Sequence, residues 1–252
     1  MKKILLILVN FISFFWRLIP SKLRRIFITG IFLLESRGNV NNGLRKLFLI
    51  KDNLDWVINE RALFFGNGKH PKHILTKYHD FFSDHIVDGK NILDIGCGYG
   101  AVAKTLAENK PNSNVIGIDY DPVKLLQAKK INGLTNLKFI SLDATKSLPD
   151  GIWDVIILSN VLEHIQSRVF FLKQIVKNSK CETILIRVPL FERSWEIPMR
   201  KELGVNYYSD NDHKIEHTLI QFKKEMAESN LQIKTMHTIW GEIWAVCSVK
   251  LN

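Results

Sequence analysis

The chain has 252 residues, 46% of them hydrophobic, enough for one core of about 150–200 residues and an appendage. Its net charge is +10, and +8 of that lies in residues 1–50, where nine Lys and Arg face Glu35 alone. A nucleic-acid face should lie on a folded domain. Here the excess flanks the apolar run ILLILVNFISFFW, so nucleic acid is not expected as a partner. Cys97, Cys181 and Cys247 are odd in number, widely spaced and set in apolar runs, which points to reduced thiols in a cytoplasmic compartment and away from a cysteine metal site.

Residues 4–19 are apolar apart from Asn10, Ser13 and Arg17, and a second run, IFITGIFLL, covers 26–34. The first is shorter than the roughly 20 residues a spanning helix needs. No small-residue cleavage site follows it, as a secretory signal would require. The expectation is a helix lying in an anionic membrane surface, peripheral on the cytoplasmic face of the inner membrane. A helix docked on the protein's own core or on a second copy, and a true span, stay open. Residues 40–85 read as helical around the turn GNGKHP. Strands are expected at 91–95, 114–121, 137–144, 153–160 and 182–189, with helices to about 109, after Pro122, over 162–178 and over 218–230, the last capped by Thr218. Near-continuous Val, Ile and Leu runs separated by helices mean buried parallel strands. LQIKTMHTIW and EIWAVCSVK meet at Gly241 as an antiparallel hairpin. The chain thus divides into a helical extension (1–85) and an α/β domain (86–252) with an irregular insert at 190–217.

The first strand runs into three alternate glycines, Gly96, Gly98 and Gly100, and then a helix. Such a turn brings backbone N–H groups close to a ligand. Gly96, Gly98 and Ala101 also fit the dinucleotide pattern, so the turn alone does not choose. Two further strand-end acids sharpen it. Asp119 ends the second strand, 25 residues after Asp94, where a carboxylate can accept both ribose hydroxyls. Asp143 ends the third, where one can accept an exocyclic amino group.

NILDIGCGYG, GIDYD, LDA and WDVIILSNVLEHI resemble the successive motifs of class I S-adenosylmethionine-dependent methyltransferases, over roughly residues 88–252. The resemblance implies a Rossmann-like α/β fold, a doubly wound and mostly parallel seven-stranded sheet with the C-terminal antiparallel hairpin, here carrying an N-terminal helical extension. It implies S-adenosylmethionine as cofactor. Asp94 would reach its methionine end, and Gly96, Cys97, Gly98 and Gly100 would form the loop beside it. Asp119, followed by Tyr120, would bind the ribose, and Asp143 with Ala144 the adenine. Ser159, Asn160 and Val161 would line the methyl-transfer site. HPKHILTKYHDFF, RVPLFERSWEIPMRKELGV and WGEIWA resemble a bacterial subgroup that gives the cofactor but no substrate.

Methyl transfer needs a positioned nucleophile and, for a hydroxyl, a proton acceptor. His164 follows the fourth strand at the mouth of the sheet. In the insert, DNDHKIEHT offers His213, Glu216 and His217; the two histidines would share a face if helical. No third ligand is evident for a metal there, and none is expected. Trp195, Tyr207 and Tyr208 would either wall a sugar or ring acceptor or pin the insert to the core. His70 and His73 would either close over the cofactor or belong to a helix starting after Pro71. The reading is O-methylation of a small-molecule, glycan or lipid-linked acceptor by a chain that could pair with a second copy. Its rivals are a nicotinamide-dependent oxidoreductase and a cofactor-binding scaffold without catalysis.

Overall fold

The computed structural model describes residues 9, 12–68, 70–130, 133–179 and 181–250. The chain forms two units: Met1–Gly68 with Arg200–Val205, and Lys69–Met199 with Asn206–Asn252. The second unit thus takes in residues ahead of the α/β domain expected from 86. The reason is packing. Tyr78–Asp84 forms a short helix whose Tyr78, Phe81 and Phe82 are buried, and they join a core cluster with Ile92, Leu106 and Val115.

The first unit holds helices α1 (Ser21–Glu35) and α2 (Val40–Phe65). Asn39 caps α2 by accepting from the Asn42 amide. α1 buries none of its residues; Leu23, Ile26, Phe27 and Leu34 are all exposed. Residues 200–205 belong here because Arg200 stacks on Phe48 at 4.6 Å and pairs with Asp52 at 2.7 Å, while Arg45 donates to the Leu203 carbonyl at 2.7 Å. Of the expected surface-binding segment, residues 1–8, 10 and 11 lie outside the described residues. Among the described residues no helix is long and apolar enough to cross a membrane.

The second unit is built on a seven-stranded sheet of order β3-β2-β1-β4-β5-β7-β6. β1 (Asn91–Ile95), β2 (Asn114–Asp119), β3 (Leu137–Ser141), β4 (Val155–Ser159) and β5 (Thr183–Pro189) run parallel. β7 (Glu242–Val249) pairs antiparallel with β5, and β6 (Leu231–Ile239) antiparallel with β7. β1 shows why its sequence is apolar without alternation: Leu93 and Ile95 enter one core cluster and Ile92 the other, so both faces are dry. The helix over 219–228 carries the expected cap, with Thr218 Oγ1 accepting from the Gln221 amide and the Gln221 side chain accepting from the Thr218 amide.

The expected helix over 162–178 is not continuous. Leu162–His164 is a single 3₁₀ turn, and α-helix resumes only at Arg168, where the Ser167 carbonyl accepts from Phe171. Asn160 enters this turn with a left-handed backbone, φ +56°. The break leaves Glu163 and His164 at the carboxyl end of β4, where an open parallel sheet forms its ligand crevice.

Candidate active site

At those carboxyl ends lies a cleft of about 710 Å³ counted to its open mouth, lined by Gly96, Gly98, Asp119, Tyr120, Asp143, Ala144, Asn160, His164 and Asp212 among others. The glycines serve different ends. A Cβ on Gly96 would come within 2.7 Å of Val161, and one on Gly100 within 2.4 Å of Phe139, so these two allow close packing. Gly98, at φ +56°, has nothing within 4 Å of a Cβ; its open side is the cleft itself.

Asp119 is buried, and its two oxygens accept from the Gly98 amide at 2.8 Å and the Asp121 amide at 2.9 Å. It braces the loop while still lining the cleft. Asp143 accepts from the Thr145 amide and hydroxyl and pairs with Lys146 at 3.1 Å; the Thr145 hydroxyl first of all holds its carboxyl below the usual range. Asp94 lies beneath the loop, outside the cleft lining. Burial pushes its carboxyl up to about 7, and its Oδ2 has no hydrogen-bond partner.

Cys97, Gly100 and Ser159 also stand outside the lining. Cys97 packs beside Gly117, and burial pushes its thiol well above the usual value. Ser159 accepts from Arg187 at 3.3 Å. Arg187 in turn forms a two-point pair with Glu242 and stacks over Tyr78 at 3.9 Å, whose hydroxyl meets His73 Nδ1 at 3.0 Å. His73 sits in the short helix Lys72–Leu75 directly after Pro71, and His70 Nδ1 accepts from the Lys72 amide. The helix-start reading describes both, and neither lines the cleft.

The other end of the cleft carries His164, with His213 against it but outside the lining. His164 Nδ1 lies 3.0 Å from Asp212, and its ring meets that of His213 edge-on at 4.7 Å between centroids. Burial pulls the His164 pKa down. His213 Nδ1 meets Glu216 at 2.9 Å, and Glu216 also takes Arg193 and the Ser209 amide. Burial acts to lower the His213 pKa, but the Glu216 hydrogen bond and the charge of Glu163 outweigh it, so the net shift is upward. The loop is tied to the 3₁₀ turn by the Lys214 amide donating to the Glu163 carbonyl at 2.7 Å.

His217 does not join this group. Residues 210–217 are not helical, so the two histidines share no face. His217 is fully buried against Phe222, with Nε2 at 3.0 Å from Glu225, a carboxylate that also takes Arg168. Tyr207 and Tyr208 stack at 4.3 Å with Phe191 edge-on, Trp195 is exposed, and none of these lines the cleft. Sequence reasoning passed over Glu163, Asp210 and Asp212. The signal available was the acid directly before His164 and the two acids just before His213.

The methyltransferase-domain family matches residues 86–239. The chain belongs to that family. A probable (S)-tetrahydroprotoberberine N-methyltransferase 2 of Papaver bracteatum is 34% identical over 94 residues, 36% of this chain and 26% of that protein. The 2-methyl-6-phytyl-1,4-hydroquinone methyltransferase of Synechocystis is 30% identical over 132 residues, 48% of this chain and 41% of that one. The chain thus spans about a quarter of the length of the first curated relatives it matches. Among solved structures, magnesium protoporphyrin IX methyltransferase from Synechocystis with bound S-adenosylhomocysteine superposes with a TM-score of 0.55 at 14% identity, over 72% of this chain and 84% of that one. The [4+2]-cyclase SpnF superposes at 0.56 and 14% identity, over 70% and 82%. These likenesses show the fold.

The methyltransferase cofactor is S-adenosylmethionine, and the residues present fit it. Gly98 leaves the loop open toward the cleft. Asp94 keeps a buried oxygen without a donor, which a cationic ammonium would satisfy. Asp119 and Asp143 offer carboxylates along one wall.

Proposed function

We propose that the protein is a methyltransferase that uses S-adenosylmethionine to methylate a hydroxyl on a small-molecule, glycan or lipid-linked acceptor. The observation that carries it is the two-ended cleft: strand-end carboxylates and an open glycine at one end, an imidazole–carboxylate group at the other. When bound, S-adenosylmethionine would supply a methyl carbon whose bond to sulfur breaks as the acceptor's heteroatom bonds to it, while that heteroatom's proton passes to a base at the far end, where Asp212 and His164 line the cleft. Asp119 and Asp143 would hold the ribose and adenine, and Asp94 the methionine ammonium. His164 and Asp212, which line the far end, would face the acceptor. The names of the relatives include N-methylation, so the choice of oxygen rests on this polar far end and not on them.

The lipid-linked option, and binding to an anionic membrane surface, draw support from the exposed Phe14, Phe15, Leu18 and Phe27 among basic residues Arg17, Lys22, Arg24 and Arg25. Labelled S-adenosylmethionine incubated with membrane and soluble extracts tests both. A labelled product stable to mild acid and base, found in the membrane fraction, supports an ether on a lipid-linked acceptor. Label on amine-bearing products alone overturns O-methylation.

A further inference from the structure

We propose that Glu163, His164 and His213 hold a divalent cation at the far end of the cleft, where the ion binds an oxygen of the acceptor directly. This deepens the methyltransferase reading and rests on it.

One ligand atom from each of the three residues lies within 4.8 Å of the other two. Their state without an ion is costly. Glu163 is wholly excluded from solvent, and neither of its oxygens has a hydrogen-bond partner. His164 Nδ1 is buried too, and what stands 3.0 Å from it is the exposed Asp212 carboxylate, poorly aligned for a hydrogen bond. Two residues before the turn the Asn160 side-chain oxygen is also buried without a partner. Buried polar atoms are normally satisfied, so three orphans on one 3₁₀ turn call for a common partner. Protonating Glu163 would relieve the carboxylate but leave the imidazole nitrogen and the amide oxygen as they are. A cation satisfies acceptors and nothing else, and every orphan on this turn can act as one.

The surroundings suit a ligand set. Glu216 at 2.9 Å commits His213 Nδ1 and leaves Nε2 for an ion, and Arg193 with the Ser209 amide fixes Glu216 in turn. A carboxylate behind a ligating imidazole orients the ring and strengthens it as a donor. The Lys214 amide locks the His213 loop onto the Glu163 turn. Two imidazoles and a carboxylate suit Zn²⁺, Mn²⁺, Fe²⁺ or Co²⁺ better than Mg²⁺ or Ca²⁺. Because His164 and Asp212 line the cleft, the remaining coordination positions open toward it. Asp210 and Asp212 form a second, more exposed trio with His213.

The test uses the full chain, stripped with a chelator and then titrated with Co²⁺, with S-adenosylhomocysteine binding measured calorimetrically on the same stripped sample. The expected result is a visible absorption band saturating near one Co²⁺ per chain, displaced by Zn²⁺, and weakened at least tenfold in Glu163→Gln. His164→Gln, at a half-exposed position, supplies the same readout if Glu163→Gln does not fold. Wild-type protein that binds S-adenosylhomocysteine but neither Co²⁺, Zn²⁺ nor Mn²⁺ overturns the cation site alone. A band that persists unchanged in both variants overturns the assignment to these residues. Loss of S-adenosylhomocysteine binding by the stripped wild type would instead strike the cofactor reading.

Discussion

At the end of the cleft lined by Asp119 and Asp143, the carboxylates are already held by the protein: two backbone amides hold the first, and Thr145 with Lys146 the second. At the end lined by His164, Glu163, Asn160 and His164 itself keep polar atoms without partners. The first arrangement is a preformed cradle, built by local sequence and needing little reorganisation to accept a ligand. The second stores unmet demand and requires something from outside to complete it. On the proposed function, the first end would hold the cofactor by geometry and the second would handle the acceptor by chemistry.

The comparison is tested most severely at Gly98. Gly98→Val puts a branched side chain into space that no protein atom occupies. Cofactor binding should fall below detection in calorimetry. The left-handed backbone there makes a non-glycine residue cost about 1–2 kcal/mol, so melting should drop by only about 2–8 °C. Normal binding by the folded variant would reduce the loop to a plain turn.

Asp119→Ala should follow, weakening S-adenosylhomocysteine binding by about 5–150-fold, the equivalent of about 1–3 kcal/mol for hydrogen bonds to a charged acceptor. Unchanged affinity would confine Asp119 to bracing the loop.

The smallest effect is a pH dependence at Asp94. Its carboxyl is raised by burial to about 7 in the folded protein from 3.8. The protonated form is therefore the stable one without ligand. Its contribution is complete below about pH 4 and is lost as pH rises through about 7. Asp94→Asn should melt with the wild type near pH 4 and a few degrees above it at pH 8. Cofactor affinity of the wild type should climb as pH rises through 7, because the ionised carboxylate pairs with the ammonium, while the variant stays flat. Parallel melting curves for the two proteins across this range would remove the buried charge from Asp94.

The cradle was far more legible in the sequence than the opposite end. β1 falls on the expected residues 91–95 and Asp119 ends β2, because a short-range pattern of apolar runs, turns and acids specifies them; Asp143, expected to end the third strand, lies two residues beyond β3, in the turn that Thr145 and Lys146 close on it. The far end depends on residues about 50 apart that meet only in the fold. Glu163 and His213 are joined through a loop whose path no periodicity announces. The same lack of pattern misplaced His217. Its spacing from His213 suggested one helical face, yet the chain turns and bends there and sends the ring to Glu225. The rival reading as a nicotinamide oxidoreductase gains nothing from the family match, and the sheet ends in the antiparallel hairpin that reading lacked.

Residues 200–205 belong to the helical unit although that unit is otherwise closed by residue 68. The chain leaves Arg200, seated between Phe48 and Asp52, and reaches Asp210 and His213 a few residues later. Residues 200–205 are thus moored to α2 through Arg200 and through Arg45, which donates to the Leu203 carbonyl. For protein engineering this changes what counts as a removable part. Trimming residues 1–34 leaves the mooring whole, whereas excising the chain up to residue 68 cuts the rope and strands a buried guanidinium without its carboxylate.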